Sequence, residues 1–298
     1  MIFGSDKPDW ATDGADWPNR VASRFVRAGG LAWHVQVTGQ GPDCLLLHGV
    51  GAASHSWRGL LPMLARRYRV IALDLPGHGF TQTPAVGGLS IAGMARLVAA
   101  VLEALEARPA LVVGHSAGAP LAAWMALEGQ IAPDRIVALN GAFVPFQGLA
   151  GQVFPPLAKL LVLNPFAPRF MAFQATDPFT VPRIIRATGS RLDPQGLDLY
   201  RRLIRRAGHV SAALRMMASW DLEPVMAGLH RLDPRLSLVV GERDRAIPPA
   251  DAARVAETAR EAAVTTLPGL GHLMHEEAPE RLAALIAAEA QATEANAR

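Results

Sequence analysis

The pentapeptide Gly114-His115-Ser116-Ala117-Gly118 follows directly on the apolar run Ala110-Leu111-Val112-Val113. A strand that ends on G-x-S-x-G and passes straight into a helix must turn sharply, and the turn holds the serine in a strained backbone conformation. Side chains two positions to either side would obstruct that turn, so both flanking residues must be glycine. A serine presented in this way is a candidate nucleophile. Glycine and serine are common, so the motif alone is weak, and the alternative is a serine capping the helix that runs from Ala117 to Glu128. The rest of the chain has to decide.

Two partners follow in the order serine, acid, histidine. The apolar run Leu236-Ser237-Leu238-Val239-Val240 leads into Gly241-Glu242-Arg243-Asp244, which puts a carboxylate just past a strand end, and Asp244 is the expected acid. Glu242 is the rival, two residues nearer the strand. Leu267-Pro268-Gly269-Leu270-Gly271-His272 places a histidine in a glycine-bounded loop before the final helix, and His272 is the expected base. His275, followed by Glu276 and Glu277, reads instead as a partly solvated histidine paired with carboxylates. Asn140 follows another strand, but an amide cannot serve as the acid. His272 would take the proton of Ser116 and return it to the leaving group, while Asp244 would fix the imidazole tautomer and offset its transient charge. An oxyanion formed in the reaction needs N–H donors. The turn after Cys44-Leu45-Leu46-Leu47-His48-Gly49 offers that of Val50, and the elbow offers that of Ala117. His48 and His115, one in each turn, are expected at the pocket or just behind it.

Alternation of apolar runs with helical periods predicts an α/β chain with a mostly parallel sheet covered on both faces. An antiparallel hairpin turns at Gly29-Gly30, strands follow near 44–47, 69–74, 110–114, 135–140, 236–241 and 263–267, and helices near 56–66, 90–106, 117–129, 250–262 and 278–291. Asp74-Leu75-Pro76-Gly77-His78-Gly79 reads as a structural turn at the pocket edge. The interval after Asn140 breaks the pattern: it is rich in proline, with helical stretches at Leu197–Ala207 and Ser211–Ser219. Residues 1–141 and 233–298 are therefore expected to form the core, and 142–232 an inserted helical cap that sets substrate choice.

The cap's apolar members include Phe143, Phe146, Phe154, Phe166, Phe170, Met171, Phe173, Met216, Met217 and Trp220; some line a pocket and others pack the cap onto the core. Phe143, Met216 and Trp220, with His48 and His115, are taken as substrate contacts. Arg201, Arg202, Arg205 and Arg206 lie apart from the apolar stripe of Leu199, Tyr200, Leu203, Ile204 and Ala207. They form either a solvated face or a surface for carboxylates or an acidic partner. Trp10 and Trp17 read as packing on the body rather than as a partner site.

A length of 298 residues with 18% charged and a net charge of +3 suits one compact core, and no basic stretch interleaves with aromatics, so nucleic-acid binding does not follow. No transmembrane run is present, and the opening residues lack the regions of a signal peptide, which gives a cytoplasmic protein as the expectation. The single cysteine, Cys44, begins an apolar strand and reads as packing. No cysteine or histidine cluster has metal-ligand spacing, so neither metal nor cofactor is expected.

These motifs resemble the α/β-hydrolase fold. More narrowly, the chain resembles the hydrolase-like accessory proteins associated with magnesium chelatase in bacteriochlorophyll biosynthesis. The likeness rests on Asp16-Trp17-Pro18-Asn19-Arg20, His48-Gly49-Val50-Gly51-Ala52-Ala53-Ser54-His55-Ser56-Trp57 and Asp74 through Thr81. It extends through Leu139-Asn140-Gly141-Ala142, Gly208-His209-Val210, Met216 through Leu222 and the loop that ends at His272. The resemblance implies a role near magnesium insertion into protoporphyrin IX, with a large, flat, apolar ligand carrying two propionates and a chelatase subunit as partner. It supplies no reaction. Two expectations stand: a serine hydrolase acting on an ester or related acyl bond, and a non-catalytic porphyrin-binding or chelatase-assisting protein that reuses the fold. Carbon–carbon bond hydrolysis and perhydrolysis also use serine in this fold, whereas its dehalogenases and epoxide hydrolases use aspartate in that place.

Overall fold

The computed structural model describes residues 6–85, 87–144, 164 and 166–296. Hairpin strands β1 (Ser23–Ala28) and β2 (Leu31–Thr38) precede β3 (Asp43–Leu47), β4 (Arg69–Leu73), β5 (Pro109–His115), β6 (Arg135–Leu139), β7 (Arg235–Gly241) and β8 (Ala262–Leu267). They form one sheet in the order β1-β2-β4-β3-β5-β6-β7-β8. Only β1–β2 and β2–β4 are antiparallel; every pairing from β4 through β8 is parallel. Parallel neighbours require crossovers, and these bring α1 (Leu60–Leu64), α2 (Ile91–Ala104) and α3 (Gly118–Leu127) onto the faces.

Alternating side chains along the central strands feed two separate cores. Leu45, Leu47, Ile71, Leu73 and Val112 pack with α2 and α3 on one face. Cys44, Leu46, Val70, Ala72, Leu111 and Val113 pack on the other with Trp57, Leu60, Leu61 and Leu64. The helix expected at 56–66 is broken into a 3-10 turn, Ser54–Trp57, and α1. Gly59 separates them, and a Cβ there would stand 2.7 Å from Cγ of Pro279.

Between β6 and β7 lie α4 (Ala167–Gln174), α5 (Thr180–Ala187), α6 (Pro194–Ile204), α7 (Ala207–Ala218) and α8 (Glu223–Gly228); α9 (Asp251–Thr258), α10 (Met274–Glu277) and α11 (Pro279–Asn296) follow. Asp193 caps α6, accepting the Gly196 N–H at 2.7 Å. Ala212 and Met216 of α7 and Val225 of α8 join the core cluster that contains α2 and α3. The apolar cap residues divide unequally. Phe143 and Met216 are buried, but Phe166, Phe170, Phe173 and Met217 face solvent, which corrects the expectation that they line a pocket or pack inward. Phe146 and Phe154 lie outside the described residues.

The arginine face of α6 meets an acidic partner within the chain itself. Arg202 forms ion pairs with Asp198 and Asp16, and Arg206 with Asp13 at 2.7 Å and Asp6 at 3.5 Å. Asp6 also accepts the N–H of Ala207 at 2.9 Å at the start of α7. On the other side of the arm, Trp10 stacks edge-on against Phe25 and Phe80, and the buried Trp17 donates its Nε1–H to Ser54 Oγ at 3.1 Å. Lys7 donates to the Thr81 carbonyl at 2.5 Å, and burial lowers its amine to about 7 against the opposing pull of Asp74. Residues 6–20 thus tie α6 and α7 to the hairpin and to the turn after β4.

Candidate active site

Ser116 stands between β5 and α3 with φ at +51°, the left-handed region that a non-glycine residue enters at a cost. Its own backbone is held on both sides: its N–H donates to the Leu139 carbonyl at 3.0 Å, and its carbonyl accepts the Ala142 N–H at 3.1 Å. The flanking glycines have distinct steric reasons. A Cβ at Gly118 would stand 2.0 Å from the Leu47 carbonyl oxygen, and one at Gly114 would stand 2.6 Å from the backbone of Ala119. Gly49 lies against the serine, with its missing Cβ 2.9 Å from Ser116 Cβ, so the turn after β3 borders the elbow directly. Neither the Val50 nor the Ala117 N–H donates to an acceptor among the described residues.

His272 and Asp244 meet across the ends of β7 and β8. Asp244 Oδ2 is 2.8 Å from His272 Nδ1, and its Oδ1 accepts the N–H groups of Ala246 and Ile247 at 2.7 and 2.9 Å. Those two donors fix the carboxylate, and the bond to Nδ1 fixes the ring. Nε2 of His272 makes no hydrogen bond among the described residues. Glu242 is exposed and turned away; its Oε2 accepts the Gly269 N–H at 2.8 Å.

One carbonyl gathers the strand ends. The His272 oxygen accepts Nε2–H of His115, the residue before Ser116, at 2.9 Å and Nδ2–H of Asn140 at 2.9 Å. The other Nδ2–H of Asn140 goes to the Gly271 carbonyl at 3.0 Å, and its Oδ1 accepts the Gly241 N–H at 2.8 Å. Asn140, the residue a search for an acid discards, spends its whole amide on clamping the histidine loop to the end of β7. Only its position at a strand end signalled this. A second brace comes from between α5 and α6: the Thr188 carbonyl accepts from both Arg245 and His272, and Ser190 Oγ accepts the Leu273 N–H at 2.8 Å. Gly189 permits the approach, since its Cβ would stand 1.9 Å from the Arg243 oxygen. Nothing in the sequence marks that contact.

The expected substrate contacts are placed less openly. His48 is wholly buried, with Nδ1 2.7 Å from the Gly49 carbonyl and Nε2 accepting the Leu75 N–H at 2.9 Å, so both ring nitrogens are spent inside the protein. This corrects its assignment as a pocket contact: the imidazole braces two turns. His115 likewise works from beneath. Phe143 and Met216 sit in the core cluster, and Trp220 packs at its edge. His275 is also corrected. It is fully buried, makes no hydrogen bond among the described residues, and stacks on Trp57 at 4.6 Å and His115 at 4.3 Å. Burial lowers His48 and His115, and lowers His275 to about 3, so all three are uncharged near neutrality. A charged imidazole beside His272 would weaken it as a base.

A second Ser–His–Asp array lies elsewhere. His34 Nδ1 is 2.9 Å from Asp74 Oδ2, and its Nε2 is 3.0 Å from Ser23 Oγ. No local pattern marks it.

A serine held at positive φ where a parallel strand meets a helix, with an Asp–His pair beyond the next strands, defines a class, and the chain belongs to the alpha/beta hydrolase family, whose model matches residues 44–285. Within that class it is similar to the magnesium-chelatase 30 kDa subunit of Rhodobacter capsulatus, 39% identical over 275 residues that cover 91% of this chain and 95% of the relative. It is also similar to the pimeloyl-[acyl-carrier protein] methyl ester esterase of Methylococcus capsulatus, 30% identical with 72% and 81% covered. Among solved structures, an alpha/beta hydrolase fold protein from Burkholderia ambifaria superposes with a TM-score of 0.75 at 25% identity, covering 89% of this chain and 97% of that one.

Proposed function

We propose that this protein is a serine hydrolase acting on an ester or related acyl bond, with Ser116 as nucleophile, His272 as general base and Asp244 as its orienting acid. The observation that carries the reading is the 2.8 Å Asp244–His272 bond beyond the strained Ser116 elbow. In the reaction, Ser116 Oγ attacks the acyl carbon and its proton passes to His272 Nε2. The N–H groups of Val50 and Ala117 receive the oxyanion, and the departing alcohol takes the proton from His272 as the acyl–serine bond remains. Water repeats the sequence and frees Ser116. Residues 142–232 act as the cap, and its members Phe143, Met216 and Trp220 anchor it on the core cluster.

Similarity over most of both chains to a protein named as a magnesium-chelatase subunit supports a place beside magnesium insertion in bacteriochlorophyll biosynthesis, with a porphyrin as the apolar substrate and a chelatase subunit as partner. That same name favours a second reading, in which the pocket binds porphyrin or assists the chelatase without acyl chemistry. Two measurements separate them. A fluorophosphonate probe should label the wild type and neither Ser116→Ala nor His272→Ala; a folded wild type that stays unlabelled would overturn the hydrolase reading. In a pigment-forming host, loss of bacteriochlorophyll with Ser116→Ala would exclude pure binding, and full pigment would exclude obligatory acyl chemistry.

A further inference from the structure

α4 is amphipathic in the reverse sense of a core helix. Phe166, Phe170 and Phe173, spaced to share one face, are 68%, 60% and 71% exposed. The residues turned inward are small: Ala167, Pro168 and Ala172 are buried, and α4 packs on α7. Phe179, just before α5, is 65% exposed, and Ile184 is 45% exposed. Four phenylalanines therefore face outward within fourteen residues, and no described residue covers them. Scattered exposed apolar residues are ordinary, but a run of large ones on two successive helices marks an interaction site.

Basic side chains outnumber acidic ones around the rings. Arg183 and Arg186 of α5 are exposed and form no ion pair among the described residues, and the Arg183 guanidinium lies 5.9 Å from the centre of the Phe179 ring. One acid lies nearby, Asp177, which accepts the Phe179 N–H at 3.2 Å and the Thr180 hydroxyl at 3.0 Å and is outnumbered by the two guanidinium groups. An aromatic surface flanked by free guanidinium groups matches an anionic bilayer, where the rings enter the boundary between headgroups and chains and arginines meet phosphates. A helix of eight residues cannot cross a bilayer, and no helix among the described residues is long and apolar enough to do so, so the fit is to its surface.

We propose that the α4–α5 segment docks this protein on the surface of an anionic lipid bilayer, with Phe166, Phe170, Phe173 and Phe179 inserted and Arg183 and Arg186 on the headgroups. The proposal is independent of the chemistry at Ser116. Co-sedimentation with vesicles tests it. Wild type should bind phosphatidylglycerol–phosphatidylcholine vesicles, bind pure phosphatidylcholine more weakly, and release from the anionic ones as salt rises. The pair Phe170→Ser and Phe173→Ser should lower partitioning at least tenfold with an unchanged melting temperature. Arg183→Gln and Arg186→Gln should each lower binding to anionic vesicles about fivefold. No binding to either vesicle would overturn the proposal. So would a wild-type dimer that the serine variants convert to monomer while vesicle binding is absent, since the rings would then meet a second copy of this chain.

Discussion

Ser23, His34 and Asp74 are bonded more completely than Ser116, His272 and Asp244, yet the first array has the character of a scaffold. Both contain an imidazole whose Nδ1 lies 2.8–2.9 Å from a buried aspartate. In the first, Nε2 is also tied to its serine, which further accepts from Gln36 at 3.1 Å, and Ser23 sits in extended backbone with φ −77°. His34 is sealed beneath Trp10, Phe25 and Phe80. Burial would raise the Asp74 carboxyl, but His34, and after it the N–H groups of Phe80 and Ser54, hold it below the usual carboxylate range. That array joins the hairpin, the turn after β4 and the N-terminal arm. At Ser116 the backbone is strained, and among the described residues two N–H groups lack acceptors and His272 Nε2 makes no hydrogen bond. A connected relay is therefore insufficient for catalysis; a nucleophile also needs a base whose second nitrogen is available and donors for the charge it generates.

The largest expected contrast is chemical. Ser116→Ala should cut acyl turnover on the order of a millionfold, whereas Ser23→Ala should leave it intact. Mapping the fluorophosphonate adduct by mass spectrometry checks this, and an adduct on Ser23 would break the distinction. Stability should invert the order. His34→Ala should cost about 3 kcal/mol, because it opens a cavity under three rings and strips Asp74 of its partner, and His272→Ala should cost less at the rim. Urea unfolding of the two variants would reveal equal losses if both arrays were structural.

A smaller effect tests how the second array is aligned. Asn140→Asp would turn carboxylate oxygens toward two carbonyls that now receive N–H groups. Turnover should fall about a hundredfold at neutral pH through displacement of His272, with partial recovery in acid, where the protonated carboxyl again donates. A pH–rate profile unchanged in shape would remove the clamp from the account. The smallest effect concerns Glu276, whose Oε1 accepts the Tyr200 hydroxyl at 2.8 Å and whose carboxyl burial raises to about 8, against Tyr200 and Arg58. Because the folded value lies above the unfolded one, the favourable contribution is full below the ordinary Glu range and fades as pH rises through about 8. Glu276→Gln should therefore gain melting temperature relative to wild type as pH rises from 5 to 9. A constant difference across that range would contradict it.

Much of this was legible locally. Apolar runs located the strands of the sheet because strands buried on both faces lack polar alternation, and glycine spacing at 114 and 118 located the elbow. Glu242, two residues nearer the strand, was set aside for Asp244, and it is Asp244 that meets His272 Nδ1. The helix at 56–66 is divided at Gly59, whose close approach to Pro279, over two hundred residues away, no local pattern shows. His275 was misread because its acidic neighbours in sequence are not its neighbours in space. Asn140, Thr188 and the Ser23 array escaped because each acts through partners on other elements.

The sequence alone determined the parallel sheet, the sharp turn at Ser116 and the order of serine, acid and histidine, since these follow from local sterics and hydrophobic period. Tertiary structure alone decided that Asp6, Asp13 and Asp16 occupy the arginines of α6, that one His272 carbonyl draws β5 and β6 together, and that a tightly bonded Ser23 stays a scaffold. Those outcomes depend on burial and on hydrogen bonds between residues far apart in the chain, which no local pattern encodes.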